Sequence, residues 1–213
     1  MLFLCPKCKK ELNIEERICR CDSGHSYDRA KEGYVHLLPA NQKNSKAPGD
    51  DKGMVAARRA FLDKGFYAPL RDALCALAAQ LSPDAPVMLD AGCGEGYYSA
   101  GLAESLNAEL LGLDISKEAV RCAAAKYKNA RWLCASAARL PVKDGSVGLL
   151  TSLFALTLPE EFRRVLRPDG TYLQVLAAED HLLNLKNIIY PELHHKEKFL
   201  MAGMLDGERL SGL

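Results

Sequence analysis

No apolar run in this 213-residue chain approaches the roughly 20 residues that a membrane-spanning helix needs. A membrane partner is therefore not expected. The opening "MLFL" is too short for the apolar stretch of a secretory leader and meets Cys5 at once, so no leader is expected either. Charge of one sign is also missing: 28 Lys and Arg stand against 27 Asp and Glu, a net charge of +1. A chain uniformly coated for one polyion is excluded. The imbalance is local instead. Residues 1–73 carry 14 basic against 10 acidic side chains, and the rest 14 against 17. A basic front half points weakly to a polyanionic partner there. Repeats and low-complexity tracts are absent, which removes solenoids and disordered tails from consideration.

What the chain does have is cysteine, eight of them, and 48% hydrophobic residues for a core. Without a leader these thiols are expected reduced, in the cytoplasm, where metal binding outranks disulfides. Four cysteines and a histidine fall within residues 5–25. Cys5-Pro6-Lys7-Cys8 is a tight turn carrying two thiolates. Cys21-Asp22-Ser23-Gly24-His25 supplies a second turn, with Gly24 freeing the backbone beside the ligand. Cys5, Cys8, Cys21 and His25 then form a closed set suited to structural Zn2+. Cys19 is the surplus thiol; with His25 it would make a looser chelate than Cys21 does. A redox pair would be expected beside a βαβ pattern, and none is near. A segment of about thirty residues buries little core, so a metal staple suits it.

Residues 1–38 are read as this zinc-binding module with an exit strand. The polar stretch Pro39–Gly53 is a linker, and two helical patterns follow, "MVAARRAFLDKG" and "YAPLRDALCALAAQL", making 39–81 a linker and helical segment. From residue 82 to 213 apolar strands alternate with helices. "VMLDAG", "ELLGLD", "RWLCAS", "VGLLTSL" and "TYLQVLA" are separated by "YYSAGLAESL", "SKEAVRCAAAKY" and "PEEFRRVL". Such alternation means an α/β fold with a mainly parallel, Rossmann-like sheet.

Between the first of these strands and its helix lies "LDAGCGEGYY". Asp90, Gly92, Gly94, Glu95 and Gly96 form a loop over which a ligand can pass close to the backbone. Eighteen residues beyond Gly96, Asp114 ends the second strand, where an acid bonds ribose hydroxyls. An acid at Asp90 suits a cationic or hydroxyl-bearing ligand better than a pyrophosphate. Together they suit a nucleoside without phosphates, namely S-adenosylmethionine. Ser116 is placed to N-cap the next helix. Trp132, Cys75, Cys122 and Cys134 read as core, and His194-His195 as a solvated pair.

"CPKC", "CDSGHSYDRAKEGYVHLLP", "PGDDKGMVAARRAFLDKGFYAPLRDAL", "LDAGCGEGYYS", "LGLDISKEAV" and "EEFRRVLRPDG" together resemble one family. It is the bacterial methyltransferases that act on guanine N1 in a 23S rRNA hairpin, some of which confer macrolide resistance. The resemblance covers nearly all of residues 1–190. It implies a zinc module followed by a class I methyltransferase sheet, and Cys5, Cys8, Cys21 and His25 as ligands. It further implies cofactor contacts from Tyr67, Gly94, Glu95 and His181, a homodimer, and a cleft that grips the RNA. Two departures stand out. Where the family tends to carry an aromatic-small-Pro turn, this chain has "SLFALTLPEEF", with Leu156 at the proline. The sheet also reads as short of its last two strands, whereas the residues expected to hold the cofactor lie mostly upstream and are retained. A small-molecule methyltransferase and a non-catalytic RNA-binding relic are the competing readings.

Overall fold

Short spacing between turn formers limits the first strands to three or four residues. In the computed structural model, which describes residues 2–39, 48–178 and 180–189, β1 (Leu12–Ile14), β2 (Ile18–Cys21) and β3 (Ser26–Asp28) form an antiparallel ribbon. Leu12 faces Cys21, and Ile18 faces Asp28. Because side chains two apart share a face of a strand, Cys19 and Cys21 both turn inward from β2 and are buried.

β4 (Val35–His36) leaves the ribbon and joins the main sheet, pairing parallel with β7 (Arg131–Cys134): Val35 faces Leu133 and His36 faces Cys134. The other strands are β5 (Val87–Ala91), β6 (Glu109–Asp114), β8 (Val147–Leu153) and β9 (Leu166–Val175). The order across the sheet is β4-β7-β6-β5-β8-β9, with every pair parallel. The five strands expected after Pro86 are present, and the ribbon's exit strand adds a sixth at the edge. The pairing of β9 with β8 jumps from Val147–Leu166 to Leu149–Thr171, so Arg167–Gly170, the "RPDG" turn, bulges out within the strand.

Helices begin at residues whose side chains close the first turn. Asp51 accepts from the Met54 N–H at 2.9 Å and starts α1 (Lys52–Leu62). α2 (Ala68–Leu81) has its proline in the first turn. α3 (Tyr97–Leu106) follows Gly96, and α4 (Lys117–Lys126) is capped by Ser116, whose hydroxyl accepts from the Ala119 N–H at 3.2 Å. α5 (Pro159–Val165) precedes β9, and α6 (Leu183–Ile189) follows it.

The sheet is covered on both faces, as a parallel sheet requires. One face packs Met88, Leu110, Trp132 and Leu149 against Leu74, Leu102, Val120 and Ala123 of α2, α3 and α4. The other packs Leu89, Leu111, Leu133 and Leu150 against Phe162 of α5 and against Phe3, Cys5, Leu12, Cys19 and Cys21 of the ribbon. The ribbon thus shares a core with the sheet. An antiparallel bridge between Phe3 and Val142 fastens it, with the Leu4 N–H donating to Pro141 and the Lys143 N–H to Leu2, both at 2.9 Å. Of the linker expected over Pro39–Gly53, residues 40–47 lie outside the described residues, as do the pair His194-His195 and the stretch 190–213, where the last strands of the sheet were expected to be missing; the end of that linker is helical instead, because Asp51 caps α1 and Lys52 and Gly53 form its first turn.

Candidate functional site

β5 and β6 deliver their acids to the carboxyl edge of the sheet, the edge where open α/β sheets bind ligands. From Ala91 the chain turns through Gly92–Gly96 into α3. The N–H groups of Gly92 and Cys93 donate to the Leu113 carbonyl at 2.8 and 3.0 Å, which ties the loop to the end of β6. Gly92 has φ +101, and a Cβ there would stand 2.4 Å from Ala155 Cβ. It is glycine because the loop after β8 presses on it. Gly94, at φ +54, has no atom within 4 Å of a would-be Cβ. The space above that backbone is open, so Gly94 lets a ligand approach. Gly96 is the N-cap of α3 and rests under the Trp132 ring.

Asp114 clamps this loop. Its Oδ2 accepts from the Gly94 N–H at 2.9 Å and its Oδ1 from the Ser116 N–H at 2.8 Å. Burial pushes its carboxyl above the ordinary range. Asp90 sits beneath, 2% exposed, between Gly112 on β6 and Thr151 on β8. The Ser99 hydroxyl, from the first turn of α3, donates to Asp90 Oδ2. Burial drives the Asp90 carboxyl up to about 6, against the lowering effect of the Ser99 and Thr151 hydroxyls. Asp90 Oδ1 has no hydrogen-bond partner among the described residues, nor does Glu95 Oε2, although Glu95 is only 6% exposed. Burial raises Glu95 as well, opposed by Lys126 and Arg59 nearby. Buried acceptors without donors beside an open backbone cradle fit a ligand that brings hydroxyl or ammonium donors. S-adenosylmethionine has both.

Tyr67 opens α2 as its N-cap, its ring edge-on to Phe61 at 5.7 Å. It neighbours Tyr98, whose hydroxyl burial pushes up to about 12 with Tyr67 and Tyr97 adding to the effect. Tyr67 thus stands near Tyr98 at the start of α3, the helix into which the loop leads. His181 lies beyond β9, its N–H donating to Ala178. Among the described residues, its side chain makes no hydrogen bond or ion pair to the loop.

The structure adds residues that sequence reasoning missed. Ser99 and Thr151 are the hydroxyls around Asp90. Asp50 carries its carbonyl to the Ser116 hydroxyl at 2.6 Å and its carboxylate to Arg58, while Asp63 pairs with Lys126 at 3.1 Å. These contacts dock residues 48–63 on α4 beside Asp114. Only the glycine of "PGDD" hints at this: Gly49 has φ +81 and lies so close to Ser116 that a Cβ would stand 2.8 Å from its Cβ. After β8, Phe154 takes φ +56, rare and strained for an aromatic residue. Its ring lies 6.2 Å from that of Tyr98, and Leu156 beyond it is 80% exposed.

At the other site, Cys5, Cys8, Cys21 and His25 bring their donor atoms within 4.8 Å of one another. Cys8 and Cys21 sulfurs are 3.5 Å apart, and His25 Nδ1 is 3.5 Å from the sulfurs of Cys5 and Cys21. A tetrahedral zinc with bonds of about 2.0–2.3 Å needs edges of about 3.5–3.8 Å, so the four fit the ion. The Lys10 N–H lowers the Cys8 thiol to about 6, which readies it as a ligand. The Tyr27 hydroxyl reaches the Cys5 sulfur at 3.2 Å and orients it. Cys19 stays in the core, paired across the ribbon with Ile14 and Tyr27, and burial raises its thiol.

Residues 3–46 match the zinc-ribbon family model described as RlmA, N-terminal, and residues 88–170 match a methyltransferase domain. A Streptomyces fradiae protein named 23S rRNA (guanine(748)-N(1))-methyltransferase is 41% identical over 85% of this chain and 65% of its own length. Proteins of Micromonospora griseorubida and Bacillus subtilis, with the provisional name 23S rRNA (guanine-N(1)-)-methyltransferase, are 38% and 30% identical, over 85% and 90% of this chain and 67% and 70% of theirs. The chain belongs to the 23S rRNA guanine-N1 methyltransferase family. It spans about two thirds of the length of these relatives. Among solved structures, this family member is similar to the PH0226 protein of Pyrococcus horikoshii, with 25% identity, a TM-score of 0.50, and coverage of 58% of this chain and 60% of the other. The sheet is that of S-adenosylmethionine-dependent methyltransferases, and the ribbon is a structural zinc site. Among the described residues no helix is long and apolar enough to cross a membrane.

Proposed function

We propose that this chain transfers a methyl group from S-adenosylmethionine to N1 of a guanine in a hairpin loop of 23S rRNA. The observation that carries this reading is the 41% identity to the Streptomyces fradiae enzyme across 85% of the chain. The cofactor supplies an electrophilic methyl on a sulfonium. Gly92, Gly94 and Gly96 shape the loop it lies on, Asp114 holds Gly94 in place and offers its remaining lone pairs to ribose hydroxyls, and Asp90 and Glu95 provide negative charge beneath. Tyr67 covers the mouth, and His181 is assigned to the same site on family resemblance. Cys5, Cys8, Cys21 and His25 hold Zn2+, which fixes the ribbon against the sheet.

N1 is on the Watson–Crick edge, so a paired guanine is out of reach and an unpaired or flipped one is required. The protein's task is alignment of N1 with the methyl and exclusion of water; the transfer would replace the methyl–sulfur bond with an N1–methyl bond and release the N1 proton. The reading places the enzyme in the cytoplasm, where its thiols stay reduced and its substrate is found, and as a homodimer. The domain limits proposed for it are 1–38 for the zinc module, 39–81 for the linker and helices, and 82–213 for the methyltransferase domain.

The test is transfer of labelled methyl groups from S-adenosylmethionine into unmodified 23S rRNA, followed by separation of the nucleosides. Label in 1-methylguanosine is the expected result. Label in another nucleoside, or none while the cofactor binds, would sink the assignment of the target.

A further inference from the structure

Phe154 leaves the end of β8 and Tyr98 lies in the first turn of α3, and their rings stand 6.2 Å apart. The pair flanks the Gly92–Gly96 loop on its β8 side: β8 is the neighbour of β5, and Ala155 is the residue that presses on Gly92. Asp114 flanks the loop on the other side, at the end of β6. With ribose hydroxyls at Asp114, the rest of the cofactor has the β8 side of the loop to occupy. A methyl acceptor then has to stand in front of these two rings.

Phe154 keeps φ +56 with its ring 46% exposed, although neither sterics nor the hydrophobic effect favours that state. The turn around it enforces the strain. The Phe154 N–H donates to the Val175 carbonyl at 2.8 Å, the Ser152 hydroxyl to the Leu156 carbonyl at 3.3 Å, and the Gln174 amide to the Thr157 hydroxyl at 2.7 Å. Strain that the surroundings over-determine concentrates at ligand sites. A fixed, half-exposed ring, with Leu156 two residues on and 80% exposed, offers the flat apolar face on which an unstacked base lies.

Tyr98 adds a donor. Its ring packs against the core that includes Leu102 and Leu153, while its hydroxyl makes no hydrogen bond among the described residues. Tyr67 and Tyr97 are the ionisable groups that act on it, and burial pushes it up to about 12, so it carries its proton at neutral pH. A neutral phenol beside an aromatic wall matches one edge of guanine, where O6 accepts and adenine carries an N–H donor instead. Methylation at N1 forms the N1–methyl bond and breaks the sulfur–methyl bond, which leaves the sulfur neutral; the N1 proton goes to water. As that proton departs, negative charge gathers on O6. A donor fixed at O6 stabilises the charge and makes N1 more acidic.

We propose that Tyr98 is a catalytic and specificity-determining residue of the methyl transfer, its hydroxyl donating to O6 of the target guanine while the base stacks on Phe154. The inference deepens the reading of guanine N1 as acceptor and rests on it.

The experiment follows formation of 1-methylguanosine in unmodified 23S rRNA by the zinc-loaded chain, at saturating S-adenosylmethionine, between about pH 6 and 9. In Tyr98→Phe, kcat should fall about 100-fold at neutral pH, the loss expected when one donor is removed from developing negative charge. The rising limb of kcat against pH should move up by about one unit for each tenfold loss of N1 acidity, so the deficit narrows as pH rises. Zinc content and S-adenosylmethionine affinity stay at native values. Phe154→Ala should raise KM for the RNA about tenfold through lost stacking, and Phe154→Tyr should restore it. Tyr97→Phe is the control. Its ring lies 5.4 Å from the Arg71 guanidinium, and loss of its hydroxyl should change neither kcat nor the limb. A Tyr98→Phe variant with native kcat, an unmoved limb or weakened S-adenosylmethionine binding overturns this inference, as does an equal loss in Tyr97→Phe; native formation of 1-methylguanosine then leaves the functional reading standing. Absence of 1-methylguanosine with the native chain overturns both.

Discussion

Replacing Asp90 with asparagine should stabilise the fold while weakening cofactor binding. The carboxylate is fully buried, lacks a partner on Oδ1 and is lifted from its ordinary value of 3.8 to about 6, chiefly by burial. A folded-state value above the unfolded one means that the native fold binds the extra proton. Stability is then undiminished below about pH 3.8 and is lost as pH rises through about 6. At about 1.4 kcal/mol for each tenfold change in proton affinity, the ionised carboxylate costs about 3 kcal/mol at pH 8 and roughly half that at pH 5. Asparagine has nearly the same shape, and the Ser99 hydroxyl can rotate to accept from its amide. Thermal unfolding of native chain and Asp90→Asn, both zinc-loaded, should show the variant about 6–12 °C more stable at pH 8, with the advantage shrinking by about half at pH 5. Zinc-ligand protonation affects both proteins alike and cancels in the difference. A variant no more stable than native at pH 8, or an advantage that does not change with pH, would refute the reasoning. The affinity for S-adenosylmethionine should fall in the same variant, because a buried negative charge beneath the proposed cofactor loop is gone.

Three further outcomes are expected. Cys19→Ala should keep about one zinc per chain by metal analysis and Cys21→Ala should lose it, since only Cys21 lies within the ligand cluster; the reverse would overturn the ligand set. Gly92→Ala should destabilise the fold by about 2–4 kcal/mol in a denaturant titration, because its Cβ collides with Ala155 at positive φ. Gly94→Ala, with open space around it, should cost only about 1 kcal/mol yet raise the cofactor dissociation constant at least about tenfold, the mark of a methyl placed in the ligand's path; unchanged cofactor affinity would show that no ligand passes there.

Much of this was legible in the chain. α3, α4 and α5 stand where caps and apolar spacing put them, because Ser116, Gly96 and Pro159 are local signals read by local rules. β5 to β8 follow from apolar runs bounded by turns. The ligand quartet was legible because chelation by two turns depends on spacing alone. The place of β4 was not. Two residues at a sheet edge find their register only through Leu133 and Cys134, nearly a hundred positions away. The ribbon's burial against the sheet was hidden for the same reason: Phe3 and Leu12 carry no sign of their partners. Asp114 illustrates a subtler gap. Its position at the end of β6 pointed to ribose, but its use as a clamp on the Gly94 N–H depends on the turn of a glycine that no pattern of residue types encodes. Ser99 lies nine residues after Asp90, a separation that becomes a contact only when strand and helix pack.

The shared core of ribbon and sheet also bears on the order of assembly during synthesis. Residues 5–25, with all four ligands, leave the ribosome well before the sheet strands they pack on and can close on a metal as soon as they appear. Their docking surface does not yet exist: Val142 and Leu133 follow more than a hundred residues later, many seconds at ordinary rates of translation. Through that interval the early ribbon would hold its apolar side and the unpaired β4 open to other chains. A metal that arrives early keeps this waiting unit shaped for its partner. A nascent chain starved of zinc would expose loose apolar segments at the moment when misassembly is easiest, so metal supply should govern how much protein reaches its folded form before it governs how that form performs.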